Sequence, residues 1–270
     1  MTLRVHALVT GRMQTHRRQA EPVGVGPIRL LATLLDRRWT PWVPVFSWAI
    51  EHPDGVVVVD AGQDPRDPGD LFRRGSTSEE DRLSARLREV GIDPADVKQH
   101  VITHLHPDHV NEAGMLPNAA VLCGAIEWRA AHRPGARLLG LVVPKALSEV
   151  TTVDFGDEAV GPFAASYRLT SDATIRLLPT PGHTGGHLSV LVDDGAGPRW
   201  LITGDAVFSE GQLLRGGIDG IAQSGRKARQ TVGRLRALCA QAPTVVLPTH
   251  DPEAAFRLAG GQTTRVDGPA

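Results

Sequence analysis

Runs of alternating or unbroken apolar residues predict a series of β-strands. The alternation from Leu3 to Val9 is typical of a half-buried strand, and the run Val56–Asp60 is apolar up to its acidic last residue. A second strand-like run ends at Ile50, and the turn sequence His-Pro-Asp-Gly at 52–55 separates it from Val56. These two runs and their turn predict a β-hairpin.

Helical periodicity appears later in the chain. Leu83, Leu87 and Val90 share one face of a helix that follows the polar start at 77–80. Further strands are predicted at 100–104, 119–122, 150–153, 174–178, 187–192, 199–205 and 244–250, and further helices at 93–96 (one turn), 125–132 and 226–239. No repeat or linker interrupts this series, so we expect an α/β fold in a single domain over residues 1–270.

Two early segments lack any clear period. Residues 11–28 are rich in Arg, Gly and Pro, which predicts a loop. Residues 63–75 mix acids, arginines and prolines around Leu71-Phe72, which suits either a lid over a site or a solvated connection. Apart from 150–153, residues 134–171 give no assignable pattern.

Composition narrows the functional classes. The chain of 270 residues is 41% hydrophobic and 22% charged, and its 29 Lys and Arg residues balance 30 Asp and Glu residues. This balance gives no basic footprint for nucleic acid, and no apolar run suits a signal sequence or a membrane span. Cys123 and Cys239 stand far apart in apolar, helix-like contexts, which favours buried thiols over a disulfide. We therefore expect a cytoplasmic protein that acts on a small molecule.

The most informative stretch is the hexapeptide His104-Leu-His106-Pro-Asp108-His109, which follows a strand. Alternate residues at a strand end share a face, so His104 and His106 can point the same way. Pro107 then turns the chain, and Asp108 and His109 present a second set of donor atoms. Imidazole nitrogen and carboxylate oxygen are ligands that zinc and similar divalent ions prefer. The pattern predicts a site for two metal ions.

Three isolated residues complete the ligand inventory. His183 lies in a Gly-rich turn, while Asp205 and His250 each end a predicted strand. We assign one ion to His104, His106 and His183, the other to Asp108, His109 and His250, with Asp205 between the two ions. A bridging carboxylate suits ions held roughly 3.5–4 Å apart. Zinc is the expected metal, with iron, manganese and cobalt as alternatives, since a mixed nitrogen and oxygen set selects weakly.

These motifs together resemble the metallo-β-lactamase superfamily. The resemblance is carried by Thr-His-Leu-His-Pro-Asp-His at 103–109, Thr-Pro-Gly-His-Thr-Gly-Gly-His at 180–187, Thr-Gly-Asp-Ala at 203–206, the terminal His250, and the strand-ending Asp-Ala-Gly at 60–62. It implies an αββα sandwich with a dinuclear site at one edge of the two sheets. Within the superfamily the chain is most similar to the N-acyl-homoserine lactonases, which share Gly11-Arg12, a Leu-Phe lid like 71–72 and a final His-Asp pair like 250–251.

The resemblance implies opening of a lactone ring by a hydroxide held between the two ions. Asp108 and Asp205 are the expected catalytic residues, and Asp108 would hold or shuttle the proton. The lactonases usually carry a Tyr three residues after the bridging Asp, where this chain has Phe208.

The expected substrate-binding residues are Phe208, Phe72, Trp42 and Met13. The aromatic group Trp39, Trp42, Phe46, Trp48 and Phe72 suits an acyl-chain pocket, whereas core packing explains Phe46 and Trp48 equally well. A homodimer is a further expectation.

Two alternatives stay open. The first is another hydrolase on the same scaffold, acting on a different lactone, a thioester or a β-lactam; a nuclease is disfavoured by the near-neutral charge. The second is a non-catalytic protein that binds metal or sequesters a ligand. The complete ligand set argues against the second, because a degenerate member would be expected to lose ligands first.

Overall fold

A computed structural model describes residues 3–67, 69, 72–147 and 149–266, and two β-sheets form its centre. The strands of the first sheet are β1 (Arg4–Thr15), β2 (Val43–Glu51), β3 (Val56–Val59), β4 (Arg73–Ser76), β5 (Val97–Ile102), β6 (Ala120–Gly124) and β7 (Thr151–Val153). Those of the second are β8 (Tyr167–Arg168), β9 (Ile175–Pro179), β10 (Leu188–Val192), β11 (Arg199–Gly204) and β12 (Thr244–Pro248).

The strand orders are β4-β1-β2-β3-β5-β6-β7 and β12-β11-β10-β9-β8. Strands β3, β5, β6 and β7 run parallel, as do β11 and β12, and the remaining pairs are antiparallel. Parallel neighbours place their carboxyl ends at the same edge of a sheet, and residues that follow these strands are therefore brought together.

The helices are α1 (Arg17–Ala20), α2 (Gly26–Leu35), α3 (Leu83–Glu89), α4 (Pro107–Val110), α5 (Ala125–Ala131), α6 (Glu210–Leu214), α7 (Gly225–Gln241) and α8 (Ala254–Gly260). Short 3-10 turns occupy Glu79–Asp81, Pro94–Asp96 and Ala136–Leu139. Among the described residues, no helix combines the length and apolar character needed to cross a membrane.

Three hydrophobic cores define the layers. The first lies between the sheets, where Trp48 of β2 and Val245 of β12 are buried together. The second joins α3 to the outer face of the first sheet, and the third joins α7 to the outer face of the second sheet. Each sheet thus buries one face against the other sheet and one against helices. The αββα sandwich expected from the sequence is confirmed.

Most of the predicted elements are confirmed. Strands β2 and β3 pair as the expected hairpin, the one-turn helix at 93–96 forms, and α3, α5 and α7 occupy the predicted helical segments. Leu83 and Leu87 are fully buried on the predicted face of α3. Phe46 and Trp48 belong to the inter-sheet core, so core packing is the correct interpretation of these two rings.

The loop predicted at 11–28 is wrong. Strand β1 continues to Thr15 and is followed by α1 and α2. A register shift between Val9 and Arg12 interrupts the pairing of β1 with β2, and Gly11 adopts a positive φ of 140° there. Such a bulge breaks the alternation on which strand prediction depends, so the second half of β1 has no readable period.

Two smaller expectations need correction, and one helix was not predicted. Residues 73–75, expected in a lid or connection, lie in β4, which pairs with β1, while Leu71 lies outside the described residues. Helix α8 follows the last predicted strand without having been predicted. Cys123 lies in strand β6 and not in a helix-like segment, although it and Cys239 are buried free thiols, as expected.

Candidate metal centre

The His/Asp motifs meet at one edge of the sandwich. Three groups have ligand atoms that all lie within 4.8 Å of one another, namely His104, His106 and His183; His104, His109 and Asp205; and Asp108, His109 and His250. His104 and His106 follow β5, Asp205 follows β11 and His250 follows β12, while His183 lies between β9 and β10. The seven ligand candidates of the sequence are therefore assembled in one cluster.

The first triad consists of His104, His106 and His183. Nδ1 of His106 lies 3.0 Å from Nε2 of His104 and 2.9 Å from Nε2 of His183. Burial and the neighbouring imidazoles lower the pKa of His104 well below its ordinary value, and burial with His183 lowers the pKa of His106 to about 4. Neutral imidazole is the form that binds a metal ion. Burial opposes protonation of His183 as well, but the Asp219 and Asp205 carboxylates raise its pKa. The triad therefore offers converging nitrogens, of which those of His104 and His106 are unprotonated at neutral pH.

The second triad consists of Asp108, His109 and His250. Oδ2 of Asp108 lies 3.6 Å from Nε2 of His109 and 3.3 Å from Nε2 of His250. Burial opposes their protonation, yet the Asp205 carboxylate holds the pKa of His109 well above its ordinary value and raises the pKa of His250 to about 10. The second triad is thus a strongly anionic environment that attracts positive charge.

Asp205 lies between the two triads. Its Oδ1 is 3.3 Å from Nε2 of His109 and 3.3 Å from Nε2 of His250, while its Oδ2 is 3.6 Å from Nε2 of His183. Each carboxylate oxygen therefore faces a different triad. Burial alone would raise the pKa of Asp205, but His250 and His109 hold it well below its ordinary value, so this buried carboxylate is charged.

The ring nitrogens that face away from the cluster are positioned by neighbouring groups. Contacts join His104 Nδ1 to Thr103 Oγ1 (3.1 Å), His106 Nε2 to the Leu139 carbonyl (3.2 Å), His109 Nδ1 to Asp60 Oδ2 (2.8 Å), His183 Nδ1 to Asp219 Oδ2 (3.2 Å) and His250 Nδ1 to the Pro44 carbonyl (3.1 Å). Metal-binding histidines are held in this manner, which fixes the ring and leaves the inner nitrogen free for the ion.

Buried polar atoms without hydrogen-bond partners test whether the site fits metal. His109 Nε2, His250 Nε2 and Asp205 Oδ1 are all buried and none has such a partner among the described residues. Buried polar groups are normally satisfied, so such a concentration points to a missing binding partner. A cation is the partner that satisfies imidazole nitrogen and carboxylate oxygen together. The cluster is suited to binding metal.

Asp60 is a supporting residue whose role the sequence left undefined. It ends β3 with φ of 60°, a conformation that non-glycine residues rarely adopt. Its carboxylate accepts hydrogen bonds from the Thr103 backbone N–H at 2.8 Å and the Thr103 hydroxyl at 3.0 Å, besides holding His109. The buried His100 ring contacts the Asp60 carbonyl through Nε2 at 3.1 Å. Asp60 thereby joins two strand ends beneath the second triad.

Glu127 on α5 is a supporting residue that no motif in the sequence indicated. Its fully buried carboxylate accepts hydrogen bonds from the Leu105 N–H at 3.2 Å and the Gly186 N–H at 2.9 Å. These two backbone groups belong to the loops that carry the first triad. A Cβ at position 186 would lie 2.1 Å from the Glu127 backbone nitrogen, so only glycine permits this approach.

His187 completes the Thr-Pro-Gly-His-Thr-Gly-Gly-His motif but belongs to neither triad. Its Nε2 accepts a hydrogen bond from the Asp205 backbone N–H at 3.1 Å, and its Nδ1 contacts the Thr180 hydroxyl at 2.9 Å. The ring therefore positions the backbone of Asp205.

A cavity of about 170 Å³ opens beside the cluster, lined by Met13, Thr15, Ala20, Glu21, Thr40, Val43, Phe208, Ser209, Arg215, His250 and Pro252. Met13 and Phe208 thus lie in its wall, whereas Trp42 and Phe72 are not among its lining residues. The Phe208 ring is edge-on to both His183 and His250, with centroids 5.8 and 5.7 Å away. Phe208 therefore borders both triads.

The structure places the other two expected substrate contacts elsewhere. Trp42 is 46% exposed, and the Phe72 ring packs edge-on against His16, with centroids 5.8 Å apart. His16 also contacts Trp39 at 4.6 Å. Phe46 and Trp48 therefore lie in the inter-sheet core, Trp39 and Phe72 pack against the buried His16 ring, and Trp42 is exposed.

Comparison with known proteins agrees with this geometry. The family model of the metallo-β-lactamase superfamily matches residues 40–250. The chain belongs to this superfamily and is a metal-dependent hydrolase. The N-acyl homoserine lactonase AttM of Azorhizobium caulinodans is 29% identical over 237 residues, which cover 81% of this chain and 87% of that protein.

Solved structures show the same fold. An N-acyl homoserine lactone hydrolase with the product N-hexanoyl-L-homoserine bound at its catalytic metal centre has a TM-score of 0.69 at 20% identity, covering 94% of this chain and 95% of the other. AidC, a dizinc quorum-quenching lactonase, has a TM-score of 0.67 at 16% identity, covering 93% of this chain and 88% of the other.

Proposed function

We propose that this protein is a dinuclear metal-dependent lactonase that opens the ring of N-acyl-homoserine lactones. The observation that carries the proposal is the pair of triads with the Asp205 carboxylate between them, one oxygen toward each. His104, His106 and His183 would hold one ion, Asp108, His109 and His250 the other, with Asp205 shared. Zinc is the proposed metal because the ligands are imidazoles and carboxylates; iron, manganese and cobalt stay alternatives.

The two ions, when bound, supply Lewis acidity at a carbonyl oxygen and a nucleophile from water at neutral pH. The chain itself supplies position and proton transfer. Asp108 lies 3.3 Å from His250 at the cluster's edge, where its carboxylate can accept a proton from the attacking water and return it to the leaving alcohol. Asp205 holds the two triads in a fixed position relative to each other. A lactone suits this arrangement, because its opening gives a carboxylate and an alcohol on the same product.

The proposed substrate would bind in the cavity beside His250. Met13, Val43 and Phe208 provide an apolar wall next to His250, which suits the acyl part of the substrate. We retain Trp42 and Phe72 only as contacts for a longer chain outside this cavity. The names of AttM and of the two structural relatives support the substrate class, and the dizinc AidC supports the metal count.

Phe208 favours a second candidate on the same scaffold. A phenyl ring between His183 and His250 cannot donate a hydrogen bond to a substrate oxygen, whereas the tyrosine expected there in lactonases can. Such a site also suits another lactone, a thioester or a β-lactam whose oxygen is stabilised elsewhere. The cluster's complete set of ligands gives a non-catalytic role no support.

We further propose that residues 1–270 form one domain, because the cluster draws ligands from the ends of strands in both sheets. The buried free thiols of Cys123 and Cys239 support the expected cytoplasmic location.

A combined metal and substrate assay tests the function. Protein produced with ample zinc should contain close to two ions per chain and should hydrolyse N-acyl-homoserine lactones faster than thioesters or β-lactams. The matched control is Asp193→Asn, an exposed carboxylate just after β10, at the opposite end of that strand from the loop that carries His183, which should leave both readouts unchanged. One ion or fewer would contradict the dinuclear model, while two ions with a preference for another panel member would favour the second candidate.

A further inference from the structure

The segment 23–35, which includes α2, exposes an aliphatic surface. Its seven large apolar side chains are each 45–69% exposed, namely Val23, Val25, Ile28, Leu30, Leu31, Leu34 and Leu35. No acidic residue and no lysine occurs within this segment, and its one basic residue is Arg29. A water-exposed helix normally carries charged residues on its outer face. This surface, hereafter the α2 face, therefore has the composition of a buried one.

The inner side of α2 is polar, which is the reverse of the usual arrangement. Arg29 and Thr33 are its buried residues. The Arg29 guanidinium donates hydrogen bonds to the carbonyls of Asp219 and Ala222, and the Thr33 hydroxyl is 3.4 Å from the Gly220 carbonyl. These contacts attach α2 to the loop 219–222 and leave its aliphatic residues outward. The outward orientation of the α2 face is thus fixed by specific bonds on its other side.

The exposed apolar area of the α2 face is close to the area that one partner buries in a stable dimer. Its seven side chains expose on the order of 700 Å², more than the roughly 300–600 Å² of the largest apolar patch on a typical monomer. Each partner in a stable dimer buries roughly 800 Å². We propose that the α2 face is an interface with a second copy of this chain, packed α2 against α2 about a two-fold axis. An uncharged face of Leu, Ile and Val is complementary to itself, as such an axis requires.

A membrane surface fits the α2 face less well. Helices that lie in a bilayer interface carry a solvent-facing side rich in lysine and arginine. Here the polar side of α2 faces the protein, and Arg29 uses its charge on backbone carbonyls. The flanking Arg17 and Arg38 pair with Glu21 and Asp36 at 3.2 and 3.1 Å. Arg37 adds one exposed cation next to this face, which falls short of the lysine- and arginine-rich side that interfacial helices carry.

The interface would lie next to the metal cluster. Ala20 and Glu21, just before the α2 face, line the cavity beside His250. Asp219, whose carbonyl accepts from Arg29, contacts His183 of the first triad through its carboxylate at 3.2 Å. A second copy seated on α2 would therefore border the cavity mouth and stabilise the loop that supports one ligand.

Sedimentation of the metal-loaded full chain tests the proposal. The wild type should have about twice the 28.9 kDa chain mass. The double variant Leu31→Asp/Leu35→Asp should sediment as a monomer, with the dimer Kd raised roughly a hundredfold or more, because like charges would face each other across the axis. Leu31 and Leu35 are 58% and 69% exposed, so the chain should fold with unchanged circular dichroism. Phe256→Asp, at a side chain 64% exposed on α8, is the matched control and should stay dimeric.

Single cysteines provide a direct readout. Three variants carry a cysteine at position 28, 31 or 35, and at least one of them should form a disulfide-linked dimer on mild oxidation. The native thiols of Cys123 and Cys239 are buried and should not contribute to this disulfide. A wild type that stays monomeric at every concentration overturns the proposal, as does a dimer that persists in the double variant. Flotation with vesicles of phosphatidylcholine and phosphatidylglycerol should be negative; a monomer that floats with them would identify lipid as the occupant instead.

Discussion

The two triads differ in charge and in the groups that support them. The first consists of three imidazoles, whose outer nitrogens contact the Thr103 hydroxyl, the Leu139 carbonyl and the Asp219 carboxylate. The second contains the Asp108 carboxylate, and its His109 is held by Asp60. Accordingly the pKa of His104 lies below its ordinary value and that of His109 above it.

This difference shows how one cluster can provide two metal positions that differ in charge. In the first triad, burial lowers the pKa of His104 and His106, whereas Asp219 and Asp205 raise that of His183 against burial. In the second triad, three carboxylates (Asp60, Asp108 and Asp205) surround His109 and favour positive charge there. Asp205 is common to both. Substitutions at shared and at separate residues can therefore test whether the triads act as one unit or as two.

The largest effect is expected for Asp205→Ala. Removing the carboxylate that faces both triads leaves His109 and His250 without their central anion, so the protein should lose both ions, and with them about a thousandfold or more of its activity. Asp108→Ala removes a ligand of the second triad only and should retain the ion of the first. Elemental analysis and turnover number check both variants. Two ions and wild-type turnover in Asp205→Ala would show that this residue does not join the triads.

A smaller effect is expected when the supports are neutralised one at a time. Asp219→Asn should weaken metal binding by the first triad roughly 10–100-fold, and Asp60→Asn should do the same for the second, because carboxylates behind metal-binding histidines fix their tautomer and orientation. Titration with a chelator, compared with the Asp193→Asn control, measures each affinity. If Asp60→Asn and Asp219→Asn released both ions together, the two triads would be a single cooperative unit.

Phe208→Tyr tests the residue that borders both triads. It adds one hydroxyl with little change in ring volume, at centroid distances of 5.8 and 5.7 Å from His183 and His250. The turnover number on N-acyl-homoserine lactones should rise severalfold at constant metal content, below the roughly 10²–10³-fold that one oxyanion donor contributes. An unchanged or lower turnover number would favour a substrate of the second candidate class.

The smallest effect concerns the stability of the metal-free protein against acid. Burial lowers the pKa of His100 to about 4, below the ordinary value near 6.5. Between these values the unfolded chain binds a proton that the folded chain does not, so stability falls as pH decreases from about 6.5 to about 4 and this contribution is constant below. The loss should reach up to about 3 kcal/mol.

Urea unfolding of wild type and His100→Gln at several pH values measures this contribution. The difference in unfolding free energy between the two proteins should change across the window, because only the wild type carries this titrating group beneath Asp60. Parallel pH profiles would show that His100 does not titrate differently in the folded state.

Elements with a clear period and ligands within a clear motif were readable from the sequence alone. The hairpin β2–β3 was readable from two apolar runs on either side of a Pro-Asp-Gly turn. The helices α3 and α7 were readable because each buries one regular face. The cluster residues were readable because four of them occur within six positions and the other three end strands or fill a Gly-rich turn. These patterns involve residues that are close in sequence, so they can be recognised without knowledge of the fold.

The residues that support these elements, and the sides that face outward, depend on contacts made in the folded chain. Glu127 and Asp219 reach the cluster from distant positions in the chain, and nothing in their local sequence distinguishes a buried carboxylate from a surface one. Asp60 belongs to the Asp-Ala-Gly motif, but the motif does not show that its carboxylate holds His109 and Thr103. The bulge near Gly11 hid the end of β1, and α2 presents its apolar side to solvent because its polar side binds the loop 219–222. Periodicity predicts that a helix has an apolar face, whereas the tertiary contacts of the helix decide whether that face points inward or outward.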